Sequence, residues 1–298
     1  MKSVVFMMIW LGLYSNVAFA GKDSDACNNF LDSADYQRAI ESGKKAVRNK
    51  PKEVGGYLCL GRTYNQKGEY PTAIAILKKG EKLTSVKKDL GSIASSLGIA
   101  YSNTGDKEEA LRQYQRGLAL NKDLGDEVGI GTALSNIALI YQDKGDLEHA
   151  RQLMEESLPY PGKDSNIRAR YNNLALLYDD LGNKDKCIEY LVKSVEIGEK
   201  SGDYHGTALS RLNRGNTYRE QGKFDEARTE LGEGLIAIMK TGDRDGEATA
   251  YTYLARLSRD SGNIPDARSY FKKALAIFEQ IGAKDWVASI NASLSKLD

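Results

Sequence analysis

Two histidines, three cysteines and a few glycine pairs are the residues of this 298-residue chain whose types could do covalent, metal or phosphate chemistry. His149 and His205 stand 56 residues apart, and neither sits in a metal-ligand spacing such as H-E-x-x-H. The pairs Gly129/Gly131 and Gly232/Gly234 lack a third glycine and a preceding strand, so no dinucleotide-binding turn follows. No Walker-type loop, G-x-S-x-G elbow or C-x-x-C occurs, and Glu155 and Glu156 read as solvated helix charges. Catalysis needs convergent groups of perturbed acidity. None can be assembled here, so the expectation is no enzyme, no cofactor and no metal. A different chemistry is offered by Asn136, Asn173 and Asn213, whose side-chain amides each present a donor and an acceptor. They recur at near-constant spacing.

That spacing belongs to a longer pattern. Phe30, Tyr64, Tyr101, Tyr141, Tyr178 and Tyr218, with Ser258 in the last slot, are separated by 34, 37, 40, 37, 40 and 40 residues. Four residues after each mark stands Gly68, Gly105, Gly145, Gly182, Gly222 or Gly262, with Ala34 in the first unit. Small residues fill the slots three before (Cys27, Gly61, Gly98, Ala138, Ala175, Gly215, Ala255) and nine after (Ala39, Ala73, Ala110, Ala150, Cys187, Ala227, Ala267). Leu97, Gly98 and Tyr101 form one helical stripe. Gly105 ends that helix, because glycine enters the left-handed conformation cheaply. Asp106 with Glu109 then starts a second amphipathic helix in capping-box fashion. Each unit is a helix–turn–helix that cannot bury its apolar face alone and must stack on its neighbours.

Composition narrows the partners. Lys and Arg total 42 against 41 Asp and Glu, a net charge of +1. A neutral chain has no bulk field for nucleic acid or anionic membrane. Residues 1–20 read as an export signal: Lys2, an apolar run from Val4 to Tyr14, then the small-x-small pattern Ala18-Phe19-Ala20. The run is shorter than the roughly 20 residues a membrane span needs. The expectation is a mature, soluble chain from about Gly21, periplasmic or secreted, with no membrane insertion after cleavage and an oligomeric state left open. An uncleaved N-terminal anchor is the alternative.

The segments LGIAYSNTGDKEEALRQYQRGLAL and NNLALLYDDLGNKDKCIEYLVKSVEI carry this small–aromatic–Gly–Ala frame intact. They resemble tetratricopeptide repeats (TPR), and the resemblance covers about residues 22–281. Insertions such as KDLGDEVG and EKSGDYHG are similar to those of the longer repeats of kinesin light chains and LGN-type scaffolds. The resemblance implies an all-α, right-handed superhelical solenoid of about seven repeats over residues 21–284, with a capping helix at 285–298. Departures are Ser258 in the aromatic slot, Arg214 where Leu or Ile is usual, and Pro159 and Pro161, which should cut one second helix short.

In such solenoids the first helix of each repeat lines the concave face. In the kinesin-light-chain and LGN-like proteins an asparagine row there clamps the backbone of a peptide. Carried over, Asn136, Asn173 and Asn213 are the candidate peptide contacts; the other reading is that each amide ties helices together. Flanking columns place Leu139 and Leu176 mid-groove and Asn216, Arg219, Arg256 and Arg259 toward a basic C-terminal end. They suggest a ligand with apolar side chains and an acidic group or free carboxylate, unless Asp180, Glu220 and Asp260 neutralise those arginines. Cys27 and Cys59 fall on the first helices of adjacent repeats, where a disulfide would staple the terminal repeat; two buried thiols is the alternative. Cys187 reads as an inert core thiol. The functional expectation is an exported, non-catalytic scaffold holding a peptide segment or helix of a partner protein. The alternatives are a self-associating structural module or a regulatory ligand-sensing domain.

Overall fold

The computed structural model describes residues 22–297, so the expected export signal lies outside the described residues. Those residues form fifteen α-helices and no strand. They run in pairs: α1 (Lys22–Asp32) with α2 (Tyr36–Asn49), α3 (Val54–Gln66) with α4 (Tyr70–Glu81), α5 (Lys87–Asn103) with α6 (Lys107–Leu124), and α7 (Glu127–Asp143) with α8 (Leu147–Ser157). Then follow α9 (Asp164–Asp180) with α10 (Lys184–Ser201), α11 (Tyr204–Glu220) with α12 (Phe224–Thr241), α13 (Arg244–Asp260) with α14 (Ile264–Gln280), and the unpaired α15 (Lys284–Leu294).

The turn inside each pair explains the repeat columns. The carbonyl of Tyr101 accepts the N–H of Asp106 at 3.0 Å, and that of Ser102 accepts the N–H of Gly105 at 3.1 Å. This is a Schellman closure, with the tyrosine three positions inside the helix end and Gly105 just beyond it at φ 85°. Asp106 then serves the next helix, its side chain accepting the N–H of Glu109 at 3.1 Å. Asp146, Asn183 and Asn263 cap α8, α10 and α14 the same way. The first unit makes this turn with Ala34 at φ 58°. A Cβ built on Gly105 meets nothing within 4 Å, so Gly105→Ala is strained by its backbone alone. It should lose about 1 kcal/mol, and Ala34→Gly should gain up to about as much. Denaturant midpoints of the two variants check this; equal signs would refute it.

The small columns are close-approach positions. A Cβ on Gly98 would lie 2.5 Å from the Tyr114 ring, and one on Gly61 2.4 Å from Leu77. From the other side, Ala73, Ala110, Ala150, Cys187, Ala227 and Ala267 are fully buried. Each pair therefore packs backbone-close, leaving an apolar edge that, within residues 22–162 and within residues 163–297, the next pair covers.

The described chain divides into two compact units, residues 22–162 and 163–297. The division falls just past Pro159 and Pro161, where α8 stops at 11 residues while α6, α10 and α12 reach 18. Proline lacks the N–H that would carry the helix on. Residues 22–162 hold α1–α8, with Leu58, Leu77, Ile93, Leu97 and Tyr114 at the centre of the core. Residues 163–297 hold α9–α15, with cores around Leu212, Leu231 and Ile238 and around Phe271 and Phe278. There α15 lays Trp286 flat against Phe278, centroids 4.9 Å apart, and buries Ile290. It closes the last pair as the capping segment was expected to.

Within each unit, first helices pack on first helices: α1 on α3 and α3 on α5, then α9 on α11 and α11 on α13. Among the described residues no two second helices pack as closely. The first-helix layer is therefore the inner layer of each unit.

Candidate functional site

Residues spaced three apart on a first helix share its inner face. On α9 these are Asn173, Leu176 and Asp179; on α11, Asn213, Asn216 and Arg219; on α13, Tyr253, Arg256 and Arg259. All nine lie in residues 163–297. Leu176 is buried and forms the apolar floor. Asn213 Nδ2 donates to Asn172 Oδ1 at 3.1 Å, Ser210 Oγ donates to the same oxygen at 3.2 Å, and Asn172 Nδ2 reaches Asn173 Oδ1 at 3.4 Å. The Asn213 amide thus spends a donor on tying α11 to α9. Asn172 was missed from the sequence, although it stands beside Asn173 as a doubled asparagine.

Behind this tie lies a second polar seam that the sequence did not reveal. Arg168 is almost wholly buried; its Nε donates to Asp203 Oδ2 at 2.7 Å and its Nη1 to the Gly206 carbonyl at 3.1 Å. Ser194 Oγ bonds the Arg168 carbonyl at 3.0 Å and lies 2.8 Å from Ser210 Oγ. Together these groups lock α9, α10 and α11 in register.

Asn136 belongs to residues 22–162, on α7, with Leu139 fully buried one turn further on. The Asn136 amide is 1% exposed, and neither its nitrogen nor its oxygen has a hydrogen-bond partner among the described residues. An unpaired buried amide costs about 1–3 kcal/mol. In the same unit Asn65 Nδ2 donates to the Ser96 carbonyl at 2.8 Å, tying α3 to α5.

The basic end of the inner face is mostly neutralised. Arg219 pairs with Asp260, with Glu220 at 3.0 Å, and bonds Asn216 Oδ1 at 3.2 Å. Arg259 reaches Asp260 at 2.8 Å, and Lys184 holds Asp179 at 2.6 Å and also Glu220. Burial nevertheless pushes the Asp179 carboxyl above its ordinary value. Arg256 is half-buried on α13, its guanidinium 6.0 Å over the Tyr253 ring.

The histidines and cysteines, the residue types suited to covalent or metal chemistry, gather into no common site among the described residues. Among the described residues no group of three His, Cys, Asp or Glu could hold a metal ion. Cys27 and Cys59 form a disulfide, with Cα atoms 6.3 Å apart. Burial pushes the Cys187 thiol up to about 12, and the sulfur contacts Thr217 Oγ1 at 3.4 Å. It is an inert thiol at neutral pH.

His149 packs on Tyr141, ring centroids 4.0 Å apart. His205 Nε2 lies 3.0 Å from Asp243 Oδ2, while Asp243 Oδ1 caps α13 by accepting the Gly246 N–H at 3.0 Å. The His205 contact, and then the cap, hold the Asp243 carboxyl below its ordinary value against burial. A depressed folded pKa stabilises above the unfolded value, near pH 4, and that increment is lost as pH falls through the folded pKa. Asp243→Asn keeps a capping side chain without the charge. Wild type should melt higher than this variant at neutral pH, by about 0.5–1 kcal/mol, and the gap should close below about pH 4. Thermal melts of both proteins from pH 7 to 3 test it; a pH-independent gap would contradict the assignment.

These repeats match a known family. Tetratricopeptide repeat profiles fit residues 89–160 and 167–235 and, in a second variant, 212–280. The chain belongs to the tetratricopeptide-repeat family. The photosystem I assembly protein Ycf3 of Prochlorococcus marinus (strain NATL1A) is 30% identical over 120 residues, 40% of this chain and 65% of that protein. The chain thus spans just under two thirds of the length of that curated relative. In fold it resembles the anaphase-promoting-complex hetero-tetramer Cut9–Hcn1 (TM-score 0.72, 16% identity, 89% of this chain and 48% of that one). A kinesin light chain of Podospora anserina with nearly identical TPR-like repeats gives a TM-score of 0.52 at 21% identity, over 65% of this chain and 98% of that one.

Proposed function

We propose that the chain is an exported, non-catalytic scaffold that holds an extended segment of a partner protein along the inner, first-helix face of its repeats. The observation that carries the reading is the make-up of that face in residues 163–297. Buried amides and a leucine floor are fixed by hydrogen bonds that lock α9, α10 and α11, and charged groups stand above them. A surface of that kind is preorganised, so little ordering cost falls on binding. The assembly role of Ycf3 and the hetero-tetrameric complex of Cut9 with Hcn1 support a protein partner. The Cys27–Cys59 disulfide supports export, since such bridges persist in oxidising compartments.

The test places a photo-cross-linking residue at Arg259 on the inner face or at Ile236 on α12, each in the otherwise native chain expressed with its leader. Adducts from position 259 that map to one short segment of another protein, with none from 236, are expected. Adducts from 236 alone would overturn the inner-face reading. If those adducts join two copies of this chain, they would favour a self-associating module instead. Tyr204, Ile236 and Met239 are 76%, 59% and 51% exposed, which gives that second reading its footing. Mass spectrometry of the exported chain should find its N-terminus at Gly21.

A further inference from the structure

The net charge of +1 hides an uneven distribution. Residues 36–88, from the start of α2 to the first turn of α5, hold thirteen of the 42 Lys and Arg but only four of the 41 Asp and Glu. Helices alternate in direction along the pairs, so the connections α2–α3, α4–α5 and α6–α7 lie at one end of residues 22–162. The Lys87–Asp123 ion pair, at 2.9 Å, joins the second connection to the third. Four carboxylates at this end are already answered: Asp23 by Lys45, Glu53 by Lys50, Glu81 by Arg116 and Asp123 by Lys87. Arg48, Lys52, Lys79, Lys82, Lys88 and Lys122 are exposed and form no ion pair among the described residues. Asp25 and Glu127 are the exposed acids left beside those connections. Lysines in the last turns of α4 and α6 are what a helix C-terminus favours. Lys87 and Lys88 have no such reason, because they stand in the first turn of α5, where the macrodipole disfavours cations.

Aliphatic side chains stand among these charges. Leu83, Val86 and Leu124 are 39%, 56% and 44% exposed. Val86 occupies the N-cap of α5, where α6, α7 and α8 have aspartate. Its exposure is built into the connection. The Thr84 hydroxyl donates to Asp89 Oδ2 at 2.9 Å and accepts the Val86 N–H at 3.1 Å, which fixes the backbone between Leu83 and Val86.

Cations around exposed aliphatic tips match an anionic lipid surface, which takes the charges at its headgroups and the apolar side chains at its acyl boundary. A single-stranded nucleic acid would call for aromatic platforms, and here the exposed tips are leucine and valine. We infer that this end of residues 22–162 docks on an anionic lipid surface, with Leu83, Val86 and Leu124 at the headgroup boundary. The sequence expectation that a neutral chain has no field for an anionic membrane is thereby corrected, because the field is local. The inference does not rest on the reading of the inner face. Contact through the helix ends leaves the first-helix layer of residues 22–162 uncovered.

The experiment sediments the mature chain, from Gly21 onward, with vesicles of phosphatidylcholine alone or of phosphatidylcholine and phosphatidylglycerol in equal parts. Wild type should bind the anionic vesicles and not the neutral ones, and raised salt should release it. These two arms need no variant. A lysine near such a surface contributes about fivefold in binding, so Lys79→Gln/Lys82→Gln/Lys88→Gln should bind about a hundredfold more weakly. Leu83→Ser/Val86→Ser should bind about tenfold more weakly. Lys200→Gln/Lys240→Gln/Lys272→Gln removes the same charge from exposed positions in residues 163–297 and should bind like wild type. All variants are first matched to wild type in circular dichroism and melting, and each is also titrated with a duplex oligonucleotide. Wild type that binds neither vesicle, or binds both equally, would overturn the proposal. Binding to the duplex without binding to anionic vesicles would overturn it in favour of nucleic acid. Equal losses in the two lysine variants, or no loss in Leu83→Ser/Val86→Ser, would reduce the effect to overall charge and remove the docking edge.

Discussion

Arg168→Ala should destabilise residues 163–297 by about 3 kcal/mol, toward the lower end of what breaking a buried ion pair costs. The Arg168 side chain is 4% exposed and its partner Asp203 is 22% exposed, so part of the abandoned carboxylate can turn to water. The loss is not only electrostatic. Arg168 fills a slot made by two glycines: a Cβ on Gly206 would lie 2.2 Å from its guanidinium, and one on Gly198 2.9 Å from its Cδ. Truncation leaves that slot empty and strips the Gly206 carbonyl and the Ser210 hydroxyl of a donor. Arg168→Met refills much of the volume without the charge, so the difference between the two variants separates cavity from ion pair. Urea denaturation followed by circular dichroism is the measurement. An alanine variant within about 0.5 kcal/mol of wild type, the range of ordinary surface substitutions, would show that the buried pair contributes nothing net.

Removing the Cys27–Cys59 bridge should cost ~3 kcal/mol, because the bond closes a loop of sequence separation 32 in the unfolded chain. The loss should be local in its first expression. The pair α1–α2 has a neighbour on one side only, and its core is small: Cys27, Ala39 and Cys59, with Phe30 and Leu31 packed against them. In Cys27→Ala/Cys59→Ala, or in wild type under dithiothreitol, hydrogen exchange should accelerate across residues 22–49 before the rest of its unit responds. Uniform exchange with an unchanged melting point would mean that the terminal pair is held by packing alone. The same experiment bears on location. A chain recovered from an extracytoplasmic fraction with both thiols free would remove the disulfide's support for export.

Much of this fold was legible from the chain, and the reason is the range of the forces involved. The turn columns are local: Tyr101, Gly105, Asp106 and Glu109 close and reopen a helix within nine residues. The small columns are semi-local, because Gly98 meets Tyr114 within one pair. Pro159 and Pro161 announced the short α8, and the division into units falls beside them. The pairing of Cys27 with Cys59 was open on the sequence, and buried thiols would have left the same spacing.

The candidate site was legible only as positions. The columns identified which residues face inward, including Asn173, Asn213, Asn216, Arg219 and Arg256, but gave no account of what their polar ends meet. Asn213 is bonded to Asn172 across 41 residues, Arg168 to Asp203 across 35, and Arg219 to Asp260 across 41. Each of those partners is picked by the register in which one pair stacks on the next. A shift of one side chain's width would exchange them.

By itself, the sequence determined the helix pairs, their caps, their turns and the face that each first helix buries, since those follow from periodicity and from contacts within a single repeat. The tertiary structure decided which amides and arginines are consumed in holding repeats together and which are not. Charge and hydrogen-bond pairing are set by distances of a few ångströms between α9, α11 and α13, and no spacing along the chain encodes those distances. Arg256 and Arg219 occupy inner positions of neighbouring repeats, yet one is saturated by Asp260 and Glu220 and the other is not.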